Sequence, residues 1–349
     1  MYNKTMSAER KKKVILGQFF TKDSIWLKPQ VIDFVLSSKT KVAYDPFAGG
    51  GDLLKAAKAH LGYAEVHGLD IDSTLEWDVN DSLESIPHID NAIIITNPPY
   101  ISNYSAARKK VDDSLKKYFE SSCYDDVYLI ALDKMLSAQK FVVAIIPETF
   151  INSNYKQKGK LHSITILEEN PFDDTDNPVI VACFDGVEKD LSRIKVYKNE
   201  TYINTLGAIE NLRLIPKKDV KLVFNDKKGW LGVRCVDSTN PNDMLKFDYK
   251  ENIDYDWENG IKVSSRLYTL IQIDVPKSKR NAFINECNAI LNDVRKKTDD
   301  IILSPFKGNM RNGVRRRRLD FLTCRAIIEM AYKRTVGGGE KEHEQLLLF

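Results

Sequence analysis

Short apolar runs alternate with helix-like segments over residues 40–185, and this alternation constrains the fold more than any other feature. The most apolar run, Ala92–Thr96, is rich in β-branched residues and ends just before two prolines. Similar runs occupy residues 42–44, 141–146 and 179–184. Strands that are apolar on both faces are typical of parallel sheets covered by helices on both sides. We therefore expect an α/β fold with a doubly wound, mostly parallel sheet.

The alternation stops near residue 190, where the chain changes character. Short mixed strands at residues 221–224 and 267–273 are separated by polar turns, and an amphipathic helix follows over residues 283–294. This pattern predicts a second, smaller α+β domain. The expected division is a first domain over residues 1–190, a second over 191–336 and a flexible tail over 337–349.

Composition excludes several classes of protein. The formal net charge of +3 over 349 residues is too small to indicate a nucleic-acid partner by itself. The five cysteines have neither paired spacing nor nearby histidine clusters, so we expect no metal site and no disulfide framework. The apolar stretches are too short to span a bilayer or to form the core of a signal peptide. We expect a cytoplasmic protein.

A glycine-rich turn follows the first predicted strand and opens a predicted helix. Glycines let the backbone approach a bound ligand closely, and in such sheets ligands bind beyond the carboxyl ends of the strands. No Gly-Lys-Ser/Thr sequence closes the turn, so it is not a phosphate-binding P-loop. The turn consists of Asp45, Pro46, Phe47, Ala48, Gly49, Gly50 and Gly51.

Acidic residues follow the next strand. Asp70, about twenty residues beyond the glycine turn, is placed to accept hydrogen bonds from ribose hydroxyls, with Asp72 as the alternative. A second acidic position is Asp81, with Asp78 as the alternative. Only ten residues lie between Asp70 and Asp81, too few for a helix and a strand, so we expect a truncated crossover.

The most specific signal is Asn97, Pro98, Pro99 and Tyr100, directly after the most apolar strand. An exocyclic amine on an aromatic base is a weak nucleophile because its lone pair is delocalised into the ring. The side-chain oxygen of Asn97 and the backbone carbonyl of Pro98 can each accept a hydrogen bond from one N–H group of this amine, which favours its pyramidal form. The prolines hold both acceptors in place, and Tyr100 offers an aromatic face to the base. This chemistry needs neither a metal nor a strong base.

In this order, the motifs resemble those of the gamma class of N6-adenine DNA methyltransferases. The turn at residues 45–51 looks like the motif that wraps the methionine part of S-adenosylmethionine, and residues 97–100 look like the catalytic motif. The resemblance covers about residues 15–185. It implies a Rossmann-like class I methyltransferase fold and S-adenosylmethionine as cofactor, with Asp81 meeting the adenine amino group. The implied substrate is an adenine flipped out of double-stranded DNA.

The resemblance also implies roles for residues outside these two motifs. Gly17, Phe20 and Thr21 resemble the segment that closes over the cofactor, although Lys22 replaces the familiar proline. Phe172 resembles the aromatic residue that contacts the extruded base. An acidic position at Asp126 resembles a motif lining the cofactor pocket, although acids at such positions more often cap a helix.

A basic region lies in the second predicted domain. Residues 301–334 carry nine basic residues against two acidic ones, a local charge of +7. Lysine and arginine neutralise phosphates, and arginine also reads guanine edges. The predicted DNA-binding residues are Lys307, Arg311, Arg315, Arg316, Arg317 and Arg318.

Three consecutive glycines at residues 337–339 introduce a different terminal segment. It closes with a run from Gln345 to Phe349 that contains three leucines. Exposed apolar residues on a tail are costly unless a partner binds them. The run resembles the short peptides that dock on the bacterial sliding clamp, and the hypothesis it suggests is a tether to replicating DNA. The alternatives are a tail packed on its own domain and an apolar end without a function.

Other functions remain open on the sequence. Protein glutamine methyltransferases also use Asn-Pro-Pro-Tyr, but they place an extra helical domain before the catalytic fold, whereas here the extra mass follows it and is basic. N4-cytosine methyltransferases more often have serine at the position of Asn97. RNA adenine is another possible target. A non-catalytic DNA-binding subunit with a degenerate fold is the remaining alternative, and the intact residues 97–100 argue against it.

Overall fold

The computed structural model describes residues 24–104, 112–172 and 176–337. The chain forms two compact units, the first extending to Ala208 and the second beginning at Ile209. Gly17, Phe20 and Thr21 lie outside the described residues, as does the terminal run that ends at Phe349. Their predicted roles stay predictions.

The first unit is built on a nine-stranded sheet flanked by helices. Its strands are β1 (Val42–Asp45), β2 (Glu65–Asp70), β3 (Asp78–Val79), β4 (Ala92–Thr96), β5 (Phe141–Pro147), β6 (Leu161–Ile166), β7 (Val179–Phe184), β8 (Lys195–Lys198) and β9 (Thr201–Thr205). Its helices are α1 (Pro29–Ser37), α2 (Asp52–Leu61), α3 (Asp112–Glu120) and α4 (Val127–Ala138), and α5 (Leu206–Asn211) crosses the division.

The strand order is β3-β2-β1-β4-β5-β7-β6-β8-β9. Strands β1 to β5 pair in parallel, and β7 runs antiparallel between β5 and β6. Apart from this inserted strand, the order through β6 is that of a Rossmann sheet, whose ligands bind where the strand order reverses. Here the reversal lies between β1 and β4. The predicted α/β fold with a doubly wound, mostly parallel, Rossmann-like sheet is confirmed.

Burial explains why the strand signal was strong at the centre of this sheet. Every residue of β1, β4 and β7 is buried, which requires apolar side chains on both faces. Helix α4 packs against β5 and has eight buried residues among its twelve. Each fully buried aliphatic side chain contributes roughly 1.5–3 kcal/mol of transfer free energy. The apolar runs are therefore the central strands.

The crossover between β2 and β3 is truncated, as the spacing predicted. Residues 71–77 form the whole connection and contain no helix. Strand β3 has two residues, which pair with Leu69 and Asp70. Because β3 pairs only with the last two residues of β2, the connection has to span only a short distance back along the sheet. Seven residues are enough for this.

The division between the units comes later than the predicted boundary at residue 190. Strand β8 pairs in parallel with β6, and β9 pairs with β8, so both extend the first unit's sheet. These strands lie at the sheet's edge and are largely half-buried or exposed, so they lack the continuous apolar signal of the central strands. The sequence pattern broke where the sheet became partly solvated, before the unit ended.

The second unit is α+β. An antiparallel sheet has the order β10-β13-β11-β12, and a separate two-stranded ribbon pairs β14 with β15. The strands are β10 (Leu222–Phe224), β11 (Leu231–Arg234), β12 (Lys246–Tyr249), β13 (Tyr268–Ile273), β14 (Ser304–Asn309) and β15 (Arg315–Arg318). The helices are α6 (Trp257–Gly260), α7 (Arg280–Lys297) and α8 (Phe321–Thr335). Residues of the sheet, α7 and α8 share one apolar core. Among the described helices, none is both long and apolar enough to cross a membrane.

Candidate active site

A cavity of about 270 Å³ lies at the carboxyl ends of β1, β2 and β4. This volume is close to the lower end of the range for small-molecule sites. The cavity lies where the strand order reverses, the position at which open α/β sheets bind ligands. Its walls are Asp45, Pro46, Phe47, Ala48, Gly49, Gly50, Asp52, Leu53, Asp70, Ile71, Asp72, Leu75, Asn80, Asp81, Ser82, Leu83, Asn97, Pro99, Ile101, Leu115, Tyr118 and Val127.

The glycine turn forms one wall and is held by backbone hydrogen bonds. The Gly49 N–H donates to Asp70 Oδ2 at 2.9 Å, and the Ala48 N–H donates to Leu69 O at 2.9 Å. Gly51, at the start of α2, has a φ of +74°, a left-handed conformation that favours glycine. The turn is therefore fixed by hydrogen bonds to the end of β2. The left-handed backbone at Gly51 explains the glycine at that position.

Asp45 joins the glycine turn to the catalytic loop. Its carboxylate is 2% exposed and accepts hydrogen bonds from the Phe47 N–H at 3.0 Å and from Thr96 Oγ1 at 2.5 Å. Burial raises the pKa of Asp45 to about 7, and the nearby charge of Asp70 adds to the increase. The buried carboxyl of Asp45, the first residue of the glycine turn, is thus bonded to Thr96, the residue just before the catalytic loop.

The acidic candidates differ in their surroundings. Asp70 is buried, and its two oxygens accept the N–H groups of Gly49 and Asp72, each at 2.9 Å. Asp72 also lines the cavity but is exposed. Asp81 lies at the cavity, where it accepts from Tyr118. Asp78 is exposed and is not among the wall residues, so the structure favours Asp81 over this alternative.

The predicted catalytic loop directly follows β4, and Asn97 and Pro99 line the cavity. Pro98 is buried between them. The Tyr100 hydroxyl lies within hydrogen-bonding distance of Asn97 Oδ1 and of the Ile145 carbonyl, the latter at 2.8 Å. Burial raises the pKa of Tyr100, which keeps the phenol neutral and able to donate. The loop therefore presents an oriented amide at the cavity wall.

Downstream, the loop is attached to the start of α4. The Val127 N–H donates to Ile101 O at 2.9 Å, and the Asn103 N–H donates to Asp125 O at 2.8 Å. Asp126 occupies the N-cap position of α4, although its side chain makes no capping hydrogen bond. Burial raises the pKa of Asp126. Asp126 thus lies beside the site, at the attachment of the loop, and is not one of the wall residues.

Phe172 lies in the aromatic cluster behind the loop. Its ring is 4% exposed and meets the Tyr100 ring edge-on, with 6.2 Å between centroids. Tyr100 also meets Tyr128 edge-on at 6.5 Å. The two aromatic residues predicted to contact a base are therefore adjacent, but in this structure they pack on each other.

The sequence prediction missed several side chains at the site. Leu115 and Tyr118, on α3, line the cavity, and the Tyr118 hydroxyl donates to Asp81. Trp77 lies behind the glycine turn, and its Nε1 donates to Gly49 O at 2.9 Å. No motif marks these residues. The one available signal was the presence of a tryptophan in the short connection between two acidic positions.

The cavity is strongly acidic. Its walls carry five aspartates and, among the described residues, no lysine, arginine or histidine. Such a site attracts cations and hydrogen-bond donors and repels phosphate groups. Apolar walls supplied by Leu83, Ile101 and Val127 provide contact for a flat ring. The arrangement suits a cationic ligand with hydroxyl and amino groups.

The basic region forms the ribbon of β14 and β15, and its four consecutive arginines alternate between two environments. Arg316 and Arg318 are half-buried, whereas Arg315 is 7% and Arg317 is 1% exposed. Successive side chains of a strand point to opposite faces, which explains the alternation. Arg315 and Arg317 are therefore buried in this structure, whereas Arg316 and Arg318 are accessible, and the predicted contact of these residues with DNA stays a prediction.

The inward arginine belongs to a buried polar network. The backbone N–H of Arg317 donates to Asp237 Oδ2 at 2.9 Å, and the Arg317 guanidinium donates to Leu303 O at 3.5 Å. Asp237 is fully buried and makes a bidentate pair with Arg295, with both distances 3.0 Å. Asp300 holds the same guanidinium at 2.7 Å. This network anchors the ribbon to its own unit.

The solvent side of the ribbon retains basic groups. Lys307 and Arg311 are exposed, Arg311 at the turn between the strands. The Arg316 guanidinium lies over the Phe306 ring at 4.8 Å and donates to Asp237 O at 2.8 Å. Lys307, Arg311, Arg316 and Arg318 are therefore the predicted DNA-binding residues that remain accessible.

Comparison with known proteins gives solved structures that align partially, and no curated protein matches the chain. One is a protein from Listeria monocytogenes described as a putative class I S-adenosylmethionine-dependent methyltransferase. It is 16% identical, with a TM-score of 0.38 over 58% of this chain and 76% of its own. A type I restriction-modification methyltransferase subunit from Streptococcus thermophilus is 17% identical, with a TM-score of 0.38 over 55% of this chain and 52% of its own.

The type I restriction enzyme EcoKI M protein is 12% identical, with a TM-score of 0.34 over 81% of this chain and 71% of its own. The alignment thus spans about half of the Streptococcus thermophilus chain and more of the other two. The sequence also carries a match to a family model. Residues 72–175, which contain Asn97 and Tyr100, are similar to the Eco57I restriction-modification methylase family.

Proposed function

We propose that this protein is a DNA methyltransferase that transfers a methyl group from S-adenosylmethionine to N6 of adenine. The observation that carries the proposal is the position of Asn97. Its side-chain amide lies at the end of β4, in the wall of a cavity that has five aspartates and, among the described residues, no basic side chain. The match of residues 72–175 to restriction-modification methylases supports the same reaction and suggests a role in such a system.

The cavity suits S-adenosylmethionine by charge and by shape. The molecule carries a sulfonium and an ammonium, both of which the aspartates attract, against a single carboxylate, so its net charge is positive. Asp70, or its neighbour Asp72, would accept from the ribose hydroxyls, and Asp81 from the adenine amino group. Gly49 and Gly50 would let the backbone approach the methionine part. When bound, this cofactor supplies an electrophilic methyl group.

Asn97 and Pro98 would prepare the target amine. The Asn97 oxygen and the Pro98 carbonyl would each accept a hydrogen bond from one N–H group of the amine. These two hydrogen bonds would localise the lone pair on nitrogen. A carbonyl oxygen can accept two hydrogen bonds, and the Tyr100 hydroxyl lies within hydrogen-bonding distance of the Asn97 oxygen. Asn97 and Pro98 would thereby hold the amine with its lone pair available to the methyl group that the cofactor would supply. The methylated nitrogen is acidic and loses its proton to solvent.

Access to such a loop requires the adenine to leave the duplex, because a stacked base cannot reach a concave site. Binding of the surrounding DNA would come from the solvent side of the ribbon in the second unit. Lys307 and Arg311 would neutralise phosphates, while Arg316 and Arg318 are placed to contact phosphates or guanine edges. Phe172 would contact the flipped base only after the aromatic cluster opens.

The test is label transfer from tritiated S-adenosylmethionine to mixed genomic DNA, followed by digestion and chromatography of the nucleosides. Label in N6-methyladenine is expected, with Asn97→Ala reducing it by about 100-fold or more because the amine loses a positioned acceptor. Asn103→Ala is the matched control, since Asn103 is a half-buried asparagine downstream of the same loop that does not line the cavity. Label in N4-methylcytosine would overturn the target base, and label only in RNA or protein would overturn DNA as substrate.

A further inference from the structure

We infer that Trp77 is a positioning residue for the cofactor, a role that rests on the proposed function. Its half-buried indole packs against the core of the first unit, directly before β3. The indole is not part of the cavity wall. It reaches the site only through the glycine turn, and that contact is specific in both shape and hydrogen bonding.

The shape of the contact explains two glycines. A Cβ added at Gly68 would lie 2.4 Å from Trp77 Cε3, and one added at Gly51 would lie 2.6 Å from Trp77 Cζ2. Gly51 also has a left-handed backbone, whereas Gly68 lies inside β2 without a positive φ. At Gly68 the indole alone therefore accounts for the missing side chain.

The hydrogen bond fixes the orientation of one peptide unit in the turn. Trp77 Nε1 donates to Gly49 O at 2.9 Å, and the N–H of the same glycine donates to Asp70 Oδ2 at 2.9 Å. The C=O and N–H of a trans peptide point in opposite directions. The Gly50 N–H, on a residue that lines the cavity, is therefore held pointing away from the indole. Two side chains thus set the backbone of the turn.

The truncated crossover explains why a tryptophan does this. A parallel crossover is usually a helix that covers the sheet, and residues 71–77 contain none. Trp77, the last residue of that connection, places its ring against Gly68 of β2 instead. One side chain therefore covers this part of the sheet and supports the cofactor turn.

Because Trp77 acts through the turn, its loss should weaken cofactor binding and leave the chemical step intact. We expect Trp77→Phe, which keeps a ring and removes the N–H, to weaken binding of S-adenosylhomocysteine by about five-fold. Trp77→Leu should weaken it further. For both variants KM for S-adenosylmethionine should rise in proportion, while kcat stays within about two-fold of the wild-type value. Calorimetry and steady-state kinetics on the full chain measure these quantities.

The matched control is Trp257→Phe. Trp257 is a half-buried tryptophan in the second unit whose Nε1 donates to Lys250 O at 2.8 Å, so it loses the same kind of hydrogen bond away from the site. It should leave cofactor affinity unchanged. Wild-type affinity in both Trp77 variants, or a fall in kcat without a change in KM, would overturn the positioning role.

A double-mutant cycle separates positioning from general loss of packing. Gly68→Ala should weaken S-adenosylhomocysteine binding by displacing the indole, and the same change in a Trp77→Leu background should add little. Fully additive effects would show that Gly68 and Trp77 act separately and would overturn the inference. Absence of binding by the wild-type protein would overturn the proposed function and this inference with it, whereas wild-type binding with unchanged variants overturns only the inference.

Discussion

The acidic cavity of the first unit and the basic ribbon of the second differ in how their charged residues are placed. At the cavity, Asp70, Asp72 and Asp81 all line the site, and ten residues lie between the first and the last. On the ribbon, four consecutive arginines divide between the interior and the surface. Residues at the ends of parallel strands converge by topology, whereas consecutive residues within a strand diverge. A motif therefore predicts a site better than a run of like charge does.

The sharpest test of this contrast is the inward arginine. Arg317→Ala should lower the free energy of unfolding by about 3 kcal/mol, because it empties the space of a large buried side chain and removes the guanidinium contact with Leu303 O. Urea denaturation followed by circular dichroism measures the change, and Arg318→Ala is the control from the same strand. Equal stability in the two variants would contradict the division of the ribbon into two faces.

The buried carboxyl of the cavity gives a test by pH. The folded-state pKa of Asp45 is about 7, above its usual value of 3.8, so the folded protein holds a proton that the unfolded chain releases. This contribution is present at low pH and is lost as pH rises to 7, by about 1 kcal/mol per pH unit. Denaturation midpoints between pH 5 and 8 measure it, and Asp45→Asn should flatten this part of the profile. A wild-type slope in that variant would assign the pH dependence to another group.

On the outward face, the paired change Lys307→Ala and Arg311→Ala should weaken DNA binding without a loss of stability. Each lost phosphate contact reduces the slope of log affinity against log salt by about one. Fluorescence anisotropy with a labelled duplex at several salt concentrations gives this slope. A slope equal to that of the wild type would remove the ribbon tip from the DNA interface.

The smallest expected effect is at the catalytic loop. Tyr100→Phe removes the hydroxyl that orients the Asn97 amide and should lower kcat by about five-fold, the size of one hydrogen bond. Cofactor affinity should not change, because Tyr100 is not a wall residue of the cavity. Single-turnover methylation and calorimetry separate the two effects. A weaker cofactor complex with normal turnover would place the role of Tyr100 at the cofactor instead.

The central sheet was predictable because burial on both faces leaves a continuous apolar run. Strand β4 was located correctly for this reason, and residues 97–100 follow it directly. Strands β8 and β9 were not, since edge strands are partly solvated and carry a weaker pattern. The division after Ala208 therefore comes 18 residues beyond the change of sequence pattern at residue 190.

Local sequence thus defined the central strands, the turn between β1 and α2, and the loop after β4, because hydrophobic period, glycine and proline act over a few residues. Tertiary structure decided which of Asp78 and Asp81 reaches the cavity, which arginines are buried, and that Trp77 supports the glycine turn. These outcomes depend on strand pairing and on distances between residues far apart in the chain. A local pattern does not encode them.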